Sequence, residues 1–268
     1  IIDNDKNKWY NDFTFSGGIA VGKTYICEIP FDNVTMSEAT ALAKDALNKN
    51  ACTTVVTPNA EIAYRAALDA NFMKIICGAD IILPDGAGII KAAKILGVSL
   101  KEKVAGVEFG ESVAALCESE RAPIFILGGK GDTASIAAKN LAEKYPGLEI
   151  AGTHDGYFEK SGKESDSVIN EINESGATVL FCCLGSPTQE IWANQNKEKL
   201  AHVKLLCCLG GSVDVYAGVA KRAPRIFIKT NLEWLYRLIK QPSRIGRMMS
   251  LPKYLIYVRK FRKSEEKQ

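Results

Sequence analysis

The hydrophobic pattern along the chain is one of short apolar runs separated by longer amphipathic stretches. Runs rich in Val, Ile, Leu and Cys without polar alternation indicate strands buried on both faces, as in a parallel sheet covered by helices. The runs that predict strands are CTTVVT, DIILPDG, PIFILGG, LEIAGTHDG, TVLFCCLG and VKLLCCLGG. A further β segment, GGIAVGKTYICEI, precedes them.

Amphipathic stretches follow these runs and predict helices. Residues Thr35 to Glu38 form a capping-box pattern that opens a helix to about Lys49. The other stretches that predict helices are TPNAE and the residues after it, GAGIIKAAKILG, VEFGESVAALCESE, DTASIAAKNLAEKY, KESDSVINEINESG and TQEIWANQNKEKL. The alternation predicts an α/β fold: a Rossmann-like open, mostly parallel sheet with helices on both faces, over roughly residues 15 to 225.

In such sheets ligands bind beyond the carboxyl ends of the strands. The residues predicted there are Thr57-Pro58-Asn59, Pro84-Asp85-Gly86, Gly128-Gly129, His154-Asp155-Gly156-Tyr157, Gly185 to Glu190 and Gly210 to Asp214. Glycine before a helix start exposes N–H groups that favour a phosphate, although a tight turn alone also requires glycine. We therefore predict a phosphorylated or nucleotide ligand.

The absence of several sequence motifs argues against some classes of protein. The sequence contains no GxxxxGK[ST], which argues against P-loop chemistry, and GGKGDTAS is not the GxGxxG of dinucleotide oxidoreductases. The eight cysteines include no CxxC and the chain has two histidines, so we predict buried thiols in a reduced protein and no structural zinc. No apolar run is long enough for a transmembrane helix, and the polar N-terminus is unlike a signal peptide, so we expect a cytoplasmic protein.

The net charge of +3 is unevenly distributed. Residues 229–263 hold ten Lys and Arg against one acid, a net charge of +9, and the last five residues contribute −1, so the first 228 carry −5. An acidic body with a basic tail predicts a polyanionic partner for the tail: a membrane surface, a nucleic acid or phosphates. We divide the chain into a Rossmann-like domain, 1–228, and a basic amphipathic C-terminal helical appendage, 229–268.

At the strand ends the sequence resembles the WecG/TagA/CpsF family of bacterial glycosyltransferases. The stretches that carry the resemblance run in order from about residue 53 to 247 and are TPNAE, ADIILPDGAGIIKAAKILG, KVAGVEF, FILGGKG, THDGYF, LGSPTQEIW, LGGSVDVYAG, KRAPR and NLEWLYRLIKQPSRIGR. They cover most of the chain, and several are long and idiosyncratic.

The resemblance implies an inverting transferase that moves a sugar from a UDP-sugar to a sugar linked through diphosphate to a polyprenyl lipid. In the best-known branch the donor is UDP-N-acetylmannosamine and the acceptor is N-acetylglucosaminyl-diphospho-undecaprenol, an early step of wall teichoic acid synthesis. Relatives use other donors, such as a mannosaminuronic acid or glucose. The reaction takes place on the cytoplasmic leaflet, so we expect peripheral association with the inner face of the plasma membrane.

The resemblance implies that Asp85 is the catalytic base. In an inverting displacement one carboxylate suffices to take the proton of the acceptor hydroxyl. The alternative role for Asp85 is an N-cap of the following helix. The only DxD is Asp3-Asn4-Asp5, near the N-terminus. We therefore expect backbone N–H groups and cationic side chains, rather than a metal or another cofactor, to compensate the leaving diphosphate, and the resemblance implies the same.

Positions that match the family nominate Thr57, Asn59 and Gln189 as pocket residues around donor and acceptor, and place Tyr157 and Asp214 near the nucleotide. Simpler roles stay open for each of them: Thr57 and Asn59 as helix caps, Gln189 on a helix surface, Tyr157 packed on the sheet edge and Asp214 in a turn.

Glycine turns and cations complete the predicted site. The glycines expected at the nucleotide are Gly128, Gly129, Gly185, Gly210 and Gly211. Lys103 stands where the family is expected to carry an arginine, and it keeps the charge but loses the planar fork that grips a phosphate. The tail arginines expected to clamp the diphosphates of donor or acceptor are Arg237, Arg244 and Arg247.

The tail mixes these cations with aliphatic and aromatic residues, which fits a segment that lies in a lipid headgroup layer. We expect it to be displaced in solution and to fold over Asp85 at an anionic membrane, so that deletion after about residue 228 leaves a folded protein that binds UDP but transfers poorly. The resemblance also suggests self-association in solution. One alternative is a pair of C-terminal helices packed on the domain. Another is a nucleic-acid-binding module, although no RRM, KH or helix-turn-helix signature is present.

Overall fold

The computed structural model describes residues 10–16, 19–220 and 245–266, and the single positions 224, 227, 235, 236 and 239. Two sheets are present in this part of the chain. The strands are β1 (Tyr10–Ser16), β2 (Ile19–Ile26), β3 (Ile29–Asp32), β4 (Thr53–Val56), β5 (Ile81–Ile82), β6 (Ile124–Gly128), β7 (Ile150–His154), β8 (Val179–Cys183) and β9 (Leu205–Cys208).

Strands β4 to β9 form one parallel sheet in the order β5-β4-β9-β8-β6-β7. All six apolar runs are strands, which confirms the predicted α/β, Rossmann-like sheet. Alternate residues of a strand face opposite sides: Phe181 and Cys183 join one core cluster, and Leu180 and Cys182 join the other. Both sides are apolar because both are covered, as expected for a parallel sheet.

Helices cover both faces of this sheet. The helices are α1 (Met36–Leu47), α2 (Ala60–Leu68), α3 (Ala70–Cys77), α4 (Gly86–Leu96), α5 (Gly106–Glu120), α6 (Thr133–Lys144), α7 (Gly162–Glu174), α8 (Thr188–Asn196), α9 (Ser212–Tyr216), α10 (Ile245–Met248) and α11 (Ser250–Glu265). The buried residues of α1, α5, α6 and α9 belong to one cluster, and those of α2, α3, α4, α7, α8 and α11 to the other. The capping box of α1 is confirmed, since Thr35 and Glu38 exchange both hydrogen bonds.

The predicted N-terminal β segment is an antiparallel sheet, β1-β2-β3, that closes one edge of the parallel sheet. Oδ2 of Asp32, the last residue of β3, accepts a hydrogen bond from the backbone N–H of Ile82 in β5 at 2.7 Å. Its other oxygen lies 2.7 Å from the ammonium of Lys23. Burial raises the pKa of Asp32, although Lys23 and the Ile82 N–H favour the charged form. This carboxyl group thus occupies the outward N–H of the edge strand.

The cysteines are free thiols in the structure, as predicted. Cys182, Cys183, Cys207 and Cys208 are buried in β8 and β9. Burial raises the pKa of the Cys117 thiol to about 12. These thiols therefore behave as small apolar core residues.

Helix α11 packs on α2 and α4 and contributes to the core. Tyr254 and Val258 are fully buried, Leu251 lies beside the first turn of α4, and Arg262 donates a hydrogen bond to the carbonyl of Ile95 near its end at 2.9 Å. The helix therefore runs alongside α4 in the same direction. None of the helices in the described residues is long and apolar enough to span a bilayer.

The packing of α11 on the domain differs from the expectation that the C-terminal tail is displaced in solution. For residues 250–265 the expectation of displacement is wrong in this structure, because their apolar side is buried against α2 and α4. A deletion after residue 228 would remove Tyr254 and Val258 from the core, so the truncated protein is expected to lose stability. The boundary between a domain 1–228 and an appendage 229–268 remains a prediction, since most of 221–244 lies outside the described residues.

A close helix contact explains one glycine of the DGAG stretch. A Cβ atom on Gly88 would lie 2.5 Å from Cβ of Ala60 in α2 and 2.7 Å from Cδ1 of Leu251 in α11. Such distances are far inside van der Waals contact. Gly88 therefore allows α2, α4 and α11 to meet, which is a structural role that requires no ligand.

We predict that Gly88→Ala destabilises the protein by about 1–3 kcal/mol through overpacking, although alanine is the better helix former. The matched control is Gly246→Ala in α10, where nothing lies within 4 Å of the added Cβ, so stability should stay unchanged or rise. Urea unfolding of both variants measures the difference. Equal stabilities of the two variants would show that the three helices do not meet at Gly88.

Candidate active site at the carboxyl ends of the strands

A crevice between β6 and β8 is built into the topology. These strands are neighbours, but the helix after β6 packs on one face of the sheet and the helix after β8 packs on the other. The two chain segments therefore separate at the carboxyl ends of the strands, where open α/β sheets bind their ligands. The predicted glycine turns lie on both sides of this crevice.

The turn after β6 requires its two glycines. Gly128 has φ +137°, and a Cβ there would lie 2.3 Å from the carbonyl oxygen of Cys183 in β8. Gly129 has φ +76°, and its carbonyl accepts the N–H of Gly156 at 2.8 Å. The tight turn alone is thus sufficient to explain why glycine occupies both positions. Their role at a nucleotide remains a prediction.

The loop that carries Asp85 is held by three backbone hydrogen bonds. Leu83 N–H donates to Val56 at 2.9 Å, Asp85 N–H donates to Pro58 at 3.3 Å, and Val104 N–H donates to the carbonyl of Pro84 at 2.9 Å. The exits of β4 and β5 and the start of α5 are therefore fixed relative to one another. Lys103, half-buried, precedes Val104 and so lies beside this loop.

Asp85 occupies the N-cap position of α4, with extended backbone and a half-buried side chain. Its carboxylate makes no hydrogen bond to the N–H groups of the first turn, so the capping role that the sequence left open is not performed by this side chain. The next residue, Gly86, has φ +81°, a conformation that glycine adopts without strain. The chain turns sharply at this point, from the strand exit into the helix.

Asn59 lies next to this turn and caps α2. Its Oδ1 accepts hydrogen bonds from the N–H groups of Glu61 at 2.9 Å and Ile62 at 3.1 Å. Its Cβ lies 3.7 Å from the Cβ position of Gly86. The alternative role of Asn59 as a helix cap is therefore confirmed. Because Oδ1 is used for capping, only the amide nitrogen would be available to bind a substrate.

Thr57 does not cap a helix. It is buried between strand ends, and its hydroxyl donates to the carbonyl of Cys208 at the end of β9 at 3.4 Å. Its Oγ1 also lies 3.0 Å from the Cβ position of Gly106, at the start of α5. Thr57 therefore links the exits of β4 and β9 beneath the Asp85 loop.

Gln189 is buried, with 3% exposure, so the alternative of a helix-surface residue is wrong. Its side-chain amide bridges two turns: Oε1 accepts the N–H of Gly210 at 2.8 Å, and Nε2 donates to Oε1 of Glu190 at 2.9 Å. Gly210 has φ +55° and, with Gly211, leads into α9. Gln189 thus joins the turn after β8, which contains Gly185 at φ +77°, to the turn after β9.

Tyr157 and Asp214 lie at the other predicted turns. The Tyr157 side chain is 72% exposed, so the alternative of packing on the sheet edge is wrong, and its N–H donates to the Asp155 carboxylate at 2.6 Å. Asp214 is half-buried in the first turn of α9, with Oδ2 3.7 Å from the Cβ position of Gly211. The two residues therefore follow the strands that flank the crevice, β7 beyond β6 and β9 beyond β8, and their role at a nucleotide remains a prediction.

The strand order sets the distances across the site. Neighbouring strands lie about 4.8 Å apart, so the exit of β5 is about 10 Å from that of β9 and about 24 Å from that of β7. Asp85 and Tyr157 therefore cannot contact the same sugar ring. A ligand that meets both would lie across the sheet, with the glycine turns between its ends.

Two of the nominated arginines, Arg237 and Arg244, lie outside the described residues. Arg247 belongs to α10, and its side chain is likewise outside the description. Its backbone is four residues before Leu251, which contacts Gly88 in the first turn of α4. The chain therefore brings the Arg247 backbone close to the Asp85 turn.

The sequence reasoning missed two ionisable groups, the buried Glu190 and the half-buried Lys160. Glu190 is 2% exposed beside Gln189, and the only signal was its place in the first turn of a helix, where acids are common. Lys160 lies 3.8 Å above the Phe158 ring and donates to the carbonyls of Gly156 and Phe158. Burial lowers the pKa of this lysine.

Asn59 offers a way to separate capping from substrate binding. Asp69 caps α3 with the same geometry, as its Oδ1 accepts from Asn71 at 2.9 Å and Phe72 at 3.1 Å. We predict that Asn59→Asp keeps the cap and the stability but lowers transferase activity by about tenfold or more, because the amide donor is lost. Asn59→Ala should cost about 1 kcal/mol of stability as well.

The control for Asn59→Asp is Asp69→Asn, which exchanges the same two groups at an exposed cap and should change neither property. Thermal unfolding and initial rates measure both effects. Full activity of Asn59→Asp would leave Asn59 with its capping role alone.

Comparison with known proteins gives the same family as the sequence motifs. A model of the glycosyl transferase WecG/TagA/CpsF family matches residues 24–268. The chain is 32% identical over 236 residues to the N-acetylglucosaminyldiphosphoundecaprenol N-acetyl-beta-D-mannosaminyltransferase of Bacillus spizizenii strain W23, across 88% of this chain and 90% of the relative. Enzymes of the same name from Bacillus subtilis strain 168 and Staphylococcus aureus strain MRSA252 are 31% and 30% identical, across 90% and 91% of this chain and 93% and 95% of theirs. The chain therefore belongs to the WecG/TagA/CpsF family of glycosyltransferases.

Proposed function

We propose that this glycosyltransferase moves N-acetylmannosamine from its UDP-sugar to N-acetylglucosaminyl-diphospho-undecaprenol, with inversion at the anomeric carbon. Support for the acceptor and the transferred sugar comes from the names of the relatives, which match over about nine-tenths of the chain. UDP as the carrier and teichoic-acid-type polysaccharide as the product rest on the resemblance in the motifs. UDP-linked mannosaminuronic acid or glucose is the alternative donor.

The position of Asp85 carries the proposal. Its carboxylate stands at the exit of the edge strand β5, at a helix N-cap that it does not use for capping. We assign it the role of general base. It takes the proton of the acceptor hydroxyl while that oxygen bonds to the anomeric carbon, and the bond from this carbon to the diphosphate oxygen breaks on the opposite face. The diphosphate leaves with the electron pair of that bond.

The strand order supports an extended donor. With the sugar over the exits of β4 and β5, the diphosphate would lie over the Gly210–Gly211 turn and the nucleotide over the crevice between β6 and β8. Backbone N–H groups at these turns, Lys103 and the tail arginines would compensate the negative charge of the leaving group. We propose that no metal takes part.

We predict that Asp85→Asn lowers kcat by about 10²–10⁴-fold, the usual contribution of a general base, and leaves the Kd for UDP unchanged. Asp69→Asn, the same substitution at an exposed N-cap, should be fully active. UDP release from UDP-N-acetylmannosamine, UDP-N-acetylglucosamine, UDP-glucose and a UDP-mannosaminuronic acid, each with a lipid-diphosphate-N-acetylglucosamine acceptor, identifies the donor. Turnover of Asp85→Asn at the wild-type rate would exclude Asp85 as the base.

The outward face of α11 supports docking on an anionic membrane. Its inner face is buried, whereas Met249 and Ile256 are each 50% exposed, and Lys253, Lys260 and Lys263 lie exposed on the same side of the helix. Aliphatic groups between lysines suit the boundary between headgroups and acyl chains. Because the N-terminal end of α11 contacts α4, this face would bring the lipid acceptor to the Asp85 turn. We therefore propose peripheral membrane association through a docked helix.

We predict that a triple variant weakens binding to phosphatidylserine vesicles by roughly 10²-fold, since each cation contributes about 1 kcal/mol. The variant carries glutamine in place of Lys253, Lys260 and Lys263. The control carries the same three-charge change at Lys74, Lys139 and Lys163, exposed on other helices. Vesicle co-sedimentation at two salt concentrations measures both proteins. Equal loss in the control would show that net charge, and not this face of α11, governs binding.

A further inference from the structure

Glu190 is a buried carboxyl group that the proposed reaction does not use. It lies in the first turn of α8 with 2% exposure. One oxygen, Oε1, accepts the hydrogen bond from Nε2 of Gln189 at 2.9 Å. The other, Oε2, has no hydrogen-bond partner among the described residues, and the nearby Ser186 hydroxyl lies outside hydrogen-bond geometry. Burial of a carboxyl group with one unpaired oxygen costs folding free energy. The contact between Glu190 and Gln189 therefore requires an explanation other than stability.

The contact with Glu190 determines which way the Gln189 amide points. A carboxylate accepts only from the amide nitrogen, and the backbone N–H of Gly210 donates only to the amide oxygen. Both hydrogen bonds, at 2.9 and 2.8 Å, therefore specify the same orientation of the side chain. Without Glu190, only the bond to Gly210 would oppose a rotation of the amide.

Glu190, Gln189 and Gly210 form a chain of hydrogen bonds, called the relay below, and its last member, Gly210, lies at the candidate site. Gly210 has φ +55°, and the turn that it forms with Gly211 starts α9, which carries Asp214. β9 is the neighbour of β4, and the Thr57 hydroxyl reaches its last carbonyl at Cys208. Because the turn after β9 lies between the Asp85 side and the crevice, it is placed where the diphosphate would pass. Its Gly210 N–H is bonded to Gln189, so this bond sets the geometry of the turn.

We propose that Glu190 is a positioning residue: through the Gln189 amide it holds the Gly210–Gly211 turn in the geometry that receives the diphosphate of the donor. This inference rests on the proposed function for its ligand, whereas the relay itself consists of contacts in the structure.

The electrostatic state of Glu190 agrees with such a role. Burial raises the pKa of this carboxyl group, and the hydrogen bond from Gln189 opposes the shift. Removing Glu190 alone leaves Nε2 of the buried Gln189 without its acceptor and is expected to lower stability. Activity is therefore compared under conditions in which each variant is shown to be folded.

The test compares three variants of the full chain by hydrogen exchange of residues 209–216 and by steady-state kinetics. Glu190→Met removes the acceptor at similar volume; amide exchange at Gly210 should rise by about fivefold or more, and kcat should fall by about tenfold or more at nearly unchanged acceptor KM. Glu190→Gln keeps an acceptor oxygen and should stay within about twofold of the wild type in both measurements. Glu174→Met, at an exposed position in α7, is the matched control and should change neither.

A double-mutant cycle separates the relay from a purely structural role. If Glu190 acts through Gln189, then Glu190→Met in a Gln189→Ala background should change kcat by less than about twofold. Unchanged exchange at Gly210 in Glu190→Met, faster exchange in Glu190→Gln, or multiplicative losses in the cycle would each overturn the proposal. A different outcome would refute the proposed function instead of the relay. In that outcome the wild-type protein releases no UDP from any donor, yet amide exchange at Gly210 is still faster in Glu190→Met than in the wild type.

Discussion

The site depends on how the shortest strand of the sheet is held. β5 has two residues and lies at the edge, yet it carries Asp85 to its position. Backbone bonds from Leu83 to Val56 and from Asp85 to Pro58 fix its exit against β4, and Val104 fixes Pro84 from the side of α5. A two-residue strand has little pairing of its own. The geometry of Asp85, the proposed general base, is therefore set by neighbouring loops, and it is as rigid as those loops.

Two hydrogen-bonded links connect the exits of β9 and β8 to that of β4, next to this loop. Thr57 reaches β9 through Cys208, and Gln189 joins the turns after β8 and β9 through Gly210. Polar groups buried in this way are stable only when they are paired, so each link constrains the positions of two turns at once. The ends of four strands, β5, β4, β9 and β8, thus form one connected surface, which is where the proposed donor would lie. The first turn of helix α11 adjoins this surface, because Leu251 contacts Gly88 in α4.

The sequence predicted the layers of this fold but not their arrangement. Apolar runs such as TVLFCCLG identified every strand of the parallel sheet, and the motifs identified the family, because burial on both faces and strand-end glycines leave local signals. The insertion of β9 between β4 and β8 left no such signal, since strand order depends on long-range packing. The burial of Gln189 is a consequence of that order, whereas the cap formed by Asn59 is local and is one of the roles that the sequence left open. The docking of α11 agrees with the alternative of C-terminal helices packed on the domain. The sequence did not decide between docking and displacement because the same apolar residues, Tyr254 and Val258 among them, suit a lipid interface and a protein core equally well.

The carboxyl group of Asp32 has a consequence for how molecules of this protein meet. A sheet edge with free N–H groups is a template on which a second chain can add a strand. At β5 the outward N–H of Ile82 is already bound to Asp32, inside an antiparallel sheet that covers this side. The loop that follows β5 can therefore stay open to a ligand while the edge of the sheet is closed to strand exchange between copies.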